Sequence, residues 1–324
     1  MAHYDLPLDE LREYRPVIEE PADLDAFWAD TLAQARAIGG EPVLARVQPP
    51  LPNVDVWDVT FPGFGGNPIK AWYSRPAGVR GDLPVIVQYQ GYNGGRGLAW
   101  EHTFWPSAGY AHLIMDTRGQ GSGWGAGGET PDPGGSGAAG AGYMTRGILD
   151  PAGYYYRRLF TDGVRAVDAV RTLPGIDAAR VFVAGISQGG GVAIAVAALV
   201  PGLAAALIDV PFLCHYRRAL EVIDTDPYAE ITRYLSVHRD HTERAFETLS
   251  YFDGATLARR ATAPAIFSVA LMDDTCPPST VFAAFNAWGG EPKEILVYPY
   301  NRHEGGGAYQ VEHQWQYVRR MRGT

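Results

Sequence analysis

A serine between two glycines carries the clearest chemical signal in the sequence. Residues 185–189 read G-I-S-Q-G, and Ser187 lies between an apolar run that ends at Ala184 and an apolar helical pattern over residues 188–199. A G-x-S-x-G motif between a strand and a helix is typical of a nucleophile elbow, which lifts the serine above the sheet. The motif alone would fit equally well a glycine-rich turn whose serine has no catalytic role. The flanking elements favour the nucleophile.

A serine nucleophile needs a base to take its proton and an acid to orient that base. In hydrolases with this elbow, the acid and then the base follow the serine along the chain. His303 directly follows the last predicted strand, where ligands and catalytic groups of open α/β sheets lie, so we predict it as the base. His313 falls in a helical pattern instead. The other histidines after Ser187 fall in a polar insertion without the spacing of a metal site, and they are His215, His238 and His241.

Two adjacent aspartates compete for the role of the acid. Asp273 and Asp274 both follow the apolar run 265–271, which we predict to be the next-to-last strand of the sheet. Side chains alternate along a strand, so the two carboxylates point in opposite directions. Position in the sequence does not decide between them.

An oxyanion hole needs two backbone N–H groups that face the substrate carbonyl. Gln188 follows the serine at the start of a helix, where a free N–H lies at the positive end of the helix dipole. The second donor usually comes from the loop after the third strand. Residues 90–97 hold four glycines after the apolar run 84–88, and Tyr92 is our candidate there. The alternative is a flexible surface turn.

Arg118 follows the apolar run 111–116 in the segment D-T-R-G-Q-G. It could pair with a carboxylate and brace the loops beneath the site, which would be a supporting role. An ordinary surface arginine is the alternative, and the motif alone does not separate the two.

Short apolar runs alternate with helical patterns through most of the chain, which predicts a mostly parallel, doubly wound α/β sheet. The predicted core strands are residues 84–88, 111–116, 180–184, 204–210, 265–271 and 294–298, and the predicted helices between and after them are residues 160–173, 188–199, 279–288 and 312–321.

Other segments fall outside this rhythm. An N-terminal helical arm over residues 1–45 precedes an antiparallel hairpin of strands 54–61 and 69–73. Residues 119–142 form a predicted glycine-rich loop, and residues 213–251 a predicted helical insertion. Because neither segment has apolar residues for a core of its own, we expect one domain over residues 1–324.

Composition excludes several classes of function. The net charge of −9 argues against nucleic acid or an anionic membrane as the main partner. The two cysteines, Cys214 and Cys276, have neither a disulfide framework nor metal spacing around them. The first residues lack the apolar stretch of a secretory signal, and the longest apolar stretch, residues 191–201, is too short for a membrane span. We therefore expect a cytoplasmic protein without a metal or cofactor.

Several motifs together resemble the cephalosporin C deacetylase and acetyl xylan esterase family, carbohydrate esterase family 7 of the α/β-hydrolase superfamily. The combination of R-G-Q, S-Q-G-G and H-E-G-G is specific, and the likeness covers nearly the whole chain. The matching segments are residues 91–97, 118–124, 185–190, 209–215, 272–273, 277–280 and 303–306.

The resemblance implies an α/β-hydrolase fold, and it also implies which of the two adjacent aspartates is the acid. By likeness, Asp273 rather than Asp274 is the acid, beside the nucleophile Ser187 and the base His303. Tyr92 and Gln188 match the family's oxyanion donors. Ile186 departs from the glycine that close relatives often have there. The resemblance also implies an intracellular, metal-free homo-oligomer, typically a hexamer.

We therefore expect a serine carboxylesterase that removes acetyl groups from small substrates. By resemblance these are O-acetylated xylo-oligosaccharides and the acetyl ester of cephalosporin C. One alternative is a peptidase of the prolyl-oligopeptidase kind, although the chain has no length left for the gating propeller of such enzymes. The other is a non-catalytic binding protein of the same fold, although that class commonly lacks a member of the triad.

Overall fold

A computed structural model describes residues 3–134 and 142–321, in which one twisted sheet organises the chain. The described strands are β1 (Val43–Val47), β2 (Val54–Pro62), β3 (Pro68–Pro76), β4 (Leu83–Tyr89), β5 (Ala111–Met115), β6 (Ile176–Ile186), β7 (Ala205–Asp209), β8 (Ala265–Ala270) and β9 (Lys293–Tyr298). Their order across the sheet is β1-β2-β3-β5-β4-β6-β7-β8-β9. This order confirms the predicted doubly wound α/β sheet. From β4 the chain first adds β5 on one side, and it then adds β6 to β9 in turn on the other side.

The parallel strands are apolar on both faces because helices cover both faces. Val85 and Val87 pack into the core on one side of the sheet, whereas Ile86 between them packs on the other side. The pairs from β5 through β4 to β9 are all parallel. Continuous apolar runs are what such strands require.

One end of the sheet is antiparallel. Strands β2 and β3 form the predicted hairpin, in which Val54 pairs with Pro76 and Pro62 with Pro68. Strand β1 pairs antiparallel with β2 and corrects the predicted arm, since residues 43–45 were expected to belong to a helical segment. Its side chains are mostly exposed, and an edge strand with so little buried apolar surface leaves a weak sequence pattern.

Helices pack on both faces of the sheet. The described α-helices are α1 (Leu8–Glu13), α2 (Leu24–Ala37), α3 (Phe104–Ser107), α4 (Tyr155–Val170), α5 (Gln188–Leu199), α6 (Tyr216–Val222), α7 (Ala229–Val237), α8 (Thr242–Ser250), α9 (Gly254–Leu257), α10 (Pro278–Ala287) and α11 (Gly307–Met321). Residues of α4, α5 and α10 belong to the larger apolar core, and residues of α11 and of the segment around α3 belong to the smaller one. Helix α11 begins five residues before the predicted start, in the glycine-rich segment after His303.

The predicted insertion holds α6, α7 and α8, which lie between β7 and β8. The described part of the predicted loop, residues 119–134, is irregular, and residues 135–141 of that prediction lie outside the described residues. No helix within the described ranges is long and apolar enough to cross a membrane.

The topology brings the predicted site residues to one edge of the sheet. Ser187 directly follows β6, Asp273 follows β8, and His303 follows β9. The loop that holds Tyr92 follows β4, the neighbour of β6. Carboxyl ends of parallel strands meet at the same edge, so these four segments lie together.

Candidate active site

The nucleophile elbow forms because two glycines allow the backbone to fold back closely. Ser187 has φ 57° and ψ −122°, a conformation that side-chain-bearing residues rarely adopt. A Cβ at Gly185 would lie 2.2 Å from the backbone of Gly189, and a Cβ at Gly189 would lie 2.2 Å from the carbonyl oxygen of Tyr89. The elbow is held from below, since the N–H of Ser187 donates to the carbonyl of Asp209 at 3.0 Å.

Three side chains are hydrogen-bonded in series at this elbow. Nε2 of His303 lies 2.8 Å from Oγ of Ser187, and Nδ1 of His303 lies 2.9 Å from Oδ2 of Asp273. The carboxylate can only accept, so Nδ1 carries the hydrogen and Nε2 is free to accept from the serine hydroxyl. Asp273 is fully buried, whereas the His303 side chain is 30% exposed and Ser187 is 9% exposed. The arrangement has the geometry of a serine hydrolase triad.

The two adjacent aspartates have different environments. Oδ1 of Asp273 accepts the N–H groups of Thr275 at 2.8 Å and Cys276 at 2.9 Å, which aims its other oxygen at His303. Asp274 instead pairs with Arg302 at 3.2 Å near the surface. The structure therefore places Asp273, and not Asp274, against the imidazole.

The N–H groups of Tyr92 and Gln188 belong to peptides whose carbonyls are already bonded. The carbonyl of Gly91 accepts from the N–H of Gly94 at 3.1 Å, and the carbonyl of Ser187 accepts from Gly191 at 3.0 Å. In a trans peptide the N–H points away from the carbonyl. Among the described residues we find no acceptor for the N–H of Tyr92 or of Gln188. Both can donate to a substrate oxygen.

Buried amide side chains join the two donor segments. Nε2 of Gln120 donates to Oε1 of Gln188 at 2.9 Å, and Oε1 of Gln120 accepts from the N–H of Asn93 at 2.7 Å. Gln188 also donates to the carbonyl of Gln90 at 3.3 Å. The indole of Trp124 donates to the carbonyl of Tyr92 at 2.7 Å. These contacts fix the loop after β4 against the start of α5.

Arg118 is fully buried beneath this region and pairs with carboxylates, as one of the two sequence interpretations expects. Its guanidinium donates to both oxygens of Asp162, with Nη2 at 2.7 Å from Oδ1, and Nη1 lies 3.3 Å from Asp132. Burial opposes the charge of Arg118, but the neighbouring Asp162 and Asp132 outweigh it and raise the pKa of the guanidinium. A bidentate pair of this kind holds the loop after β5 rigidly on α4.

One set of metal-capable side chains within the described ranges coincides with the triad. It consists of Asp273, Cys276 and His303, whose ligand atoms lie within 4.8 Å of one another. Asp273 and His303 already bond to each other. Burial, and then the charge of Asp273, raises the pKa of the Cys276 thiol and keeps the sulfur protonated. A protonated thiol is a poor metal ligand, so this chemistry suits a triad better than a metal.

A family model described as acetyl xylan esterase (AXE1) matches residues 1–321. The chain belongs to the acetyl xylan esterase family. Family membership places it among hydrolases that act on carboxylic esters.

Solved structures of the family superpose closely on the chain. An acetyl xylan esterase from Paenibacillus sp. R4 is 40% identical with a TM-score of 0.92, covering 97% of this chain and 99% of that one. Acetyl xylan esterase 1 from Thermoanaerobacterium sp. JW/SL YS485 is 32% identical with a TM-score of 0.90, covering 98% and 99%. The α/β-hydrolase architecture that the sequence predicts is therefore confirmed.

A longer curated relative also matches. Acetyl esterase Axe7A from Xylanibacter ruminicola is 27% identical over 300 residues, which are 89% of this chain and 65% of that protein. The chain thus spans about two thirds of this relative's length. An acylaminoacyl peptidase from Pyrococcus horikoshii shares the fold alone, at 15% identity and a TM-score of 0.58.

The other histidines that follow Ser187 lie outside the triad. His215 contacts Tyr14 at 3.1 Å, and His238 stacks on His241 with 4.9 Å between ring centroids. His313 is exposed on α11. None of the four is bonded to the triad in the part of the chain that the structure describes.

Sequence reasoning missed an N-terminal segment that lies against the acid. The hydroxyl of Tyr4 donates to the carbonyl of Asp273. Asp5 accepts the N–H of Ser279 in the first turn of α10 at 2.7 Å and pairs with Arg218 of the insertion at 2.9 Å. No signal in the sequence links these positions, because the contacts span more than 200 residues.

Proposed function

We propose that this protein is a serine carboxylesterase that removes acetyl groups from O-acetylated xylan fragments. The observation that carries the proposal is the series Ser187, His303 and Asp273, hydrogen-bonded at 2.8 Å and 2.9 Å. Membership of the acetyl xylan esterase family supports the choice of substrate. The acetyl ester of cephalosporin C belongs to the same proposal as a second small acetyl ester.

The proposed reaction has two halves. In the first, Oγ of Ser187 attacks the acetyl carbon while its proton moves to Nε2 of His303. The N–H groups of Gln188 and Tyr92 then donate to the negative oxygen of the tetrahedral intermediate. The bond from carbon to the sugar oxygen breaks, and that oxygen takes the proton from His303.

In the second half, water hydrolyses the acetyl ester of Ser187. The water gives a proton to His303 as its oxygen attacks the acetyl carbon. Acetic acid leaves when the bond to Oγ breaks and Oγ regains the proton. Asp273 holds the imidazole in the tautomer that both halves need, and it stays ionised throughout.

Replacement of the nucleophile tests this proposal. We expect Ser187→Ala to abolish acetate release from acetylated xylo-oligosaccharides and turnover of p-nitrophenyl acetate. An organophosphonate should label the unchanged enzyme at Ser187 and leave the variant unlabelled. Unchanged turnover in Ser187→Ala would refute the proposal, and failure to label the unchanged enzyme would favour a binding protein.

A peptide substrate separates the esterase from the peptidase alternative. We expect the enzyme to hydrolyse acetyl esters and to leave a proline-containing peptide amide intact. Faster cleavage of the amide than of the ester would favour the peptidase.

We further propose a cytoplasmic homo-oligomer, a hexamer by family resemblance. Light scattering of the purified chain tests its assembly, and a monomeric mass would contradict it.

A further inference from the structure

A buried glutamate of the insertion bonds to the loop that carries a proposed oxyanion donor. Glu230 lies in the first turn of α7 and is 7% exposed. Its Oε1 accepts the hydroxyl of Tyr92 at 2.7 Å, and its Oε2 accepts the N–H of Met144 at 3.1 Å. The phenol oxygen of Tyr92 in turn accepts the N–H of Tyr143 at 2.7 Å. One carboxylate thus joins three separate segments of the chain.

This carboxylate is costly to bury. No lysine or arginine of the described residues forms an ion pair with Glu230, since the nearby Arg233 pairs with Asp226. Burial raises the pKa of the Glu230 carboxyl, although the charge of Arg233 opposes the shift. The backbone also approaches it unusually closely, because a Cβ at Gly142 would lie 2.0 Å from Oε1. A carboxylate that is buried without a cation as its partner loses its hydration and is costly to the folded state. The position is therefore poorly explained by stability alone.

We propose that Glu230 is a positioning residue for the oxyanion hole, through which the insertion holds the proposed donor in place. The inference rests on the proposed function, which makes the N–H of Tyr92 a donor to the reaction intermediate. Glu230 fixes the phenol, and the phenol fixes the direction of the Cα–Cβ bond of Tyr92. The backbone nitrogen of Tyr92 is bonded to the same Cα, so the position of the side chain also constrains the direction of the N–H. A shift of about 1 Å in such a donor is enough to slow the reaction.

Glutamine cannot replace Glu230 without the loss of a hydrogen bond, because it has only one acceptor oxygen. Two donors, the Tyr92 hydroxyl and the Met144 N–H, point at the two oxygens of Glu230. Glutamine offers one oxygen and one NH₂ group, so either the Tyr92 hydroxyl or the Met144 N–H would face a donor, and in both cases the bridge from α7 through Tyr92 and Met144 would be broken at one end. The Tyr92 phenol cannot simply turn its hydrogen away, because its oxygen already receives the N–H of Tyr143.

A double-mutant cycle on kcat tests the inference. We expect Glu230→Gln to lower kcat on p-nitrophenyl acetate about 10- to 100-fold, somewhat less than removal of an oxyanion donor, and to change KM less than threefold. Tyr92→Phe removes the same link from the other side and should have a similar effect. The double variant should be no slower than the slower single variant, because both changes break one connection.

Further measurements distinguish positioning from a folding defect. A trifluoromethyl ketone, which forms a tetrahedral adduct with the serine, should bind the Glu230→Gln variant more weakly by about the factor lost in kcat. Ser236→Ala is the matched control, since Ser236 is exposed on the same helix, where its hydroxyl donates to the carbonyl of Arg233, and this variant should keep full activity. Phosphonate labelling counts folded sites in each variant.

The inference would be overturned if folded Glu230→Gln kept its kcat, or if the two single effects multiplied in the double variant. If Glu230→Gln does not fold, Tyr92→Phe and the ketone decide alone, and unchanged kcat and ketone affinity would refute the inference. Failure of the proposed function would look different, since the unchanged enzyme would then release no acetate.

Discussion

The two halves of the site are built in different ways. The triad half, made of Ser187, Asp273 and His303, follows the ends of three core strands, and neighbouring backbone groups hold Ser187 and Asp273 in place. The oxyanion half comprises the loop 90–97 with its supports. It depends on buried polar side chains from distant segments, including Gln120, Arg118 and Glu230.

This difference predicts that the halves fail differently. A polar-to-polar change in the triad removes chemistry while the sheet keeps the backbone in place. A change in the supports of the oxyanion half leaves buried groups without partners, so stability and activity should fall together.

The largest effect should come from the acid of the triad. Asp273→Asn keeps the shape of the side chain but cannot hold the same tautomer of His303, so we expect kcat to fall about 10⁴-fold. The melting temperature should change little by comparison. Steady-state kinetics on p-nitrophenyl acetate measures the loss.

The adjacent aspartate offers a matched control. Asp274 pairs with Arg302 near the surface, and exposed pairs contribute about 0–1 kcal/mol. Asp274→Asn should therefore keep activity within about threefold of the unchanged enzyme. Equal losses in both variants would mean that the triad geometry does not select Asp273.

Arg118→Met should damage the oxyanion half through stability. The change leaves Asp162 fully buried without its cation, and breaking a buried pair in this way costs about 3–5 kcal/mol. Urea unfolding measures the loss, and Arg302→Ala, which removes an exposed guanidinium, should cost less than about 1 kcal/mol. A stable Arg118→Met enzyme would show that the ion pair does not hold the loop.

The same contrast explains what the sequence could predict. Strands 84–88 and 180–184 were predictable because residues buried on both faces form continuous apolar runs, and those runs lie within β4 and β6. Ser187, Asp273 and His303 occur in this order because they follow β6, β8 and β9. Family resemblance was still needed to choose Asp273 over Asp274, since the deciding contacts are backbone N–H groups that leave no pattern.

Most supports of the oxyanion half were not predictable. Glu230 lies in a helical insertion of ordinary polar composition, and its partner Tyr92 is 138 residues away. Asp162 gives no distinct signal, because the same helix, α4, also holds Asp168, an acid that is partly exposed and pairs with Arg165. The sequence does not predict strand β1 because none of its residues is buried.

Asp209 offers a pH-dependent test of the triad half. Its carbonyl holds the N–H of Ser187, and its side chain accepts from Gln310 at 2.9 Å and Gln314 at 2.6 Å. Burial raises the pKa of Asp209 to about 7, against about 3.9 in an unfolded chain. The folded state therefore binds more protons between these values, and this carboxyl lowers stability as the pH rises from about 4 to 7.

Asp209→Asn should remove that pH dependence, because asparagine stays neutral and Gln314 can turn its amide to accept from it. Between pH 5 and pH 8 the unchanged enzyme should lose about 3 kcal/mol more unfolding free energy than the variant. Urea unfolding at both pH values gives the difference. Parallel pH profiles for the two proteins would contradict the raised pKa.

The smallest effect should come from Tyr4, whose hydroxyl bonds to the backbone of Asp273 and not to its carboxylate. Tyr4→Phe removes one hydrogen bond to the carbonyl of Asp273 and leaves the acid's own bonds to Thr275, Cys276 and His303 intact. We expect a loss of about 0.5–1.5 kcal/mol in unfolding free energy and less than a threefold fall in kcat. Tyr300→Phe is the control, since Tyr300 is 82% exposed. A fall in kcat like that of Asp273→Asn would mean that the N-terminal segment, and not the sheet, holds the acid in place.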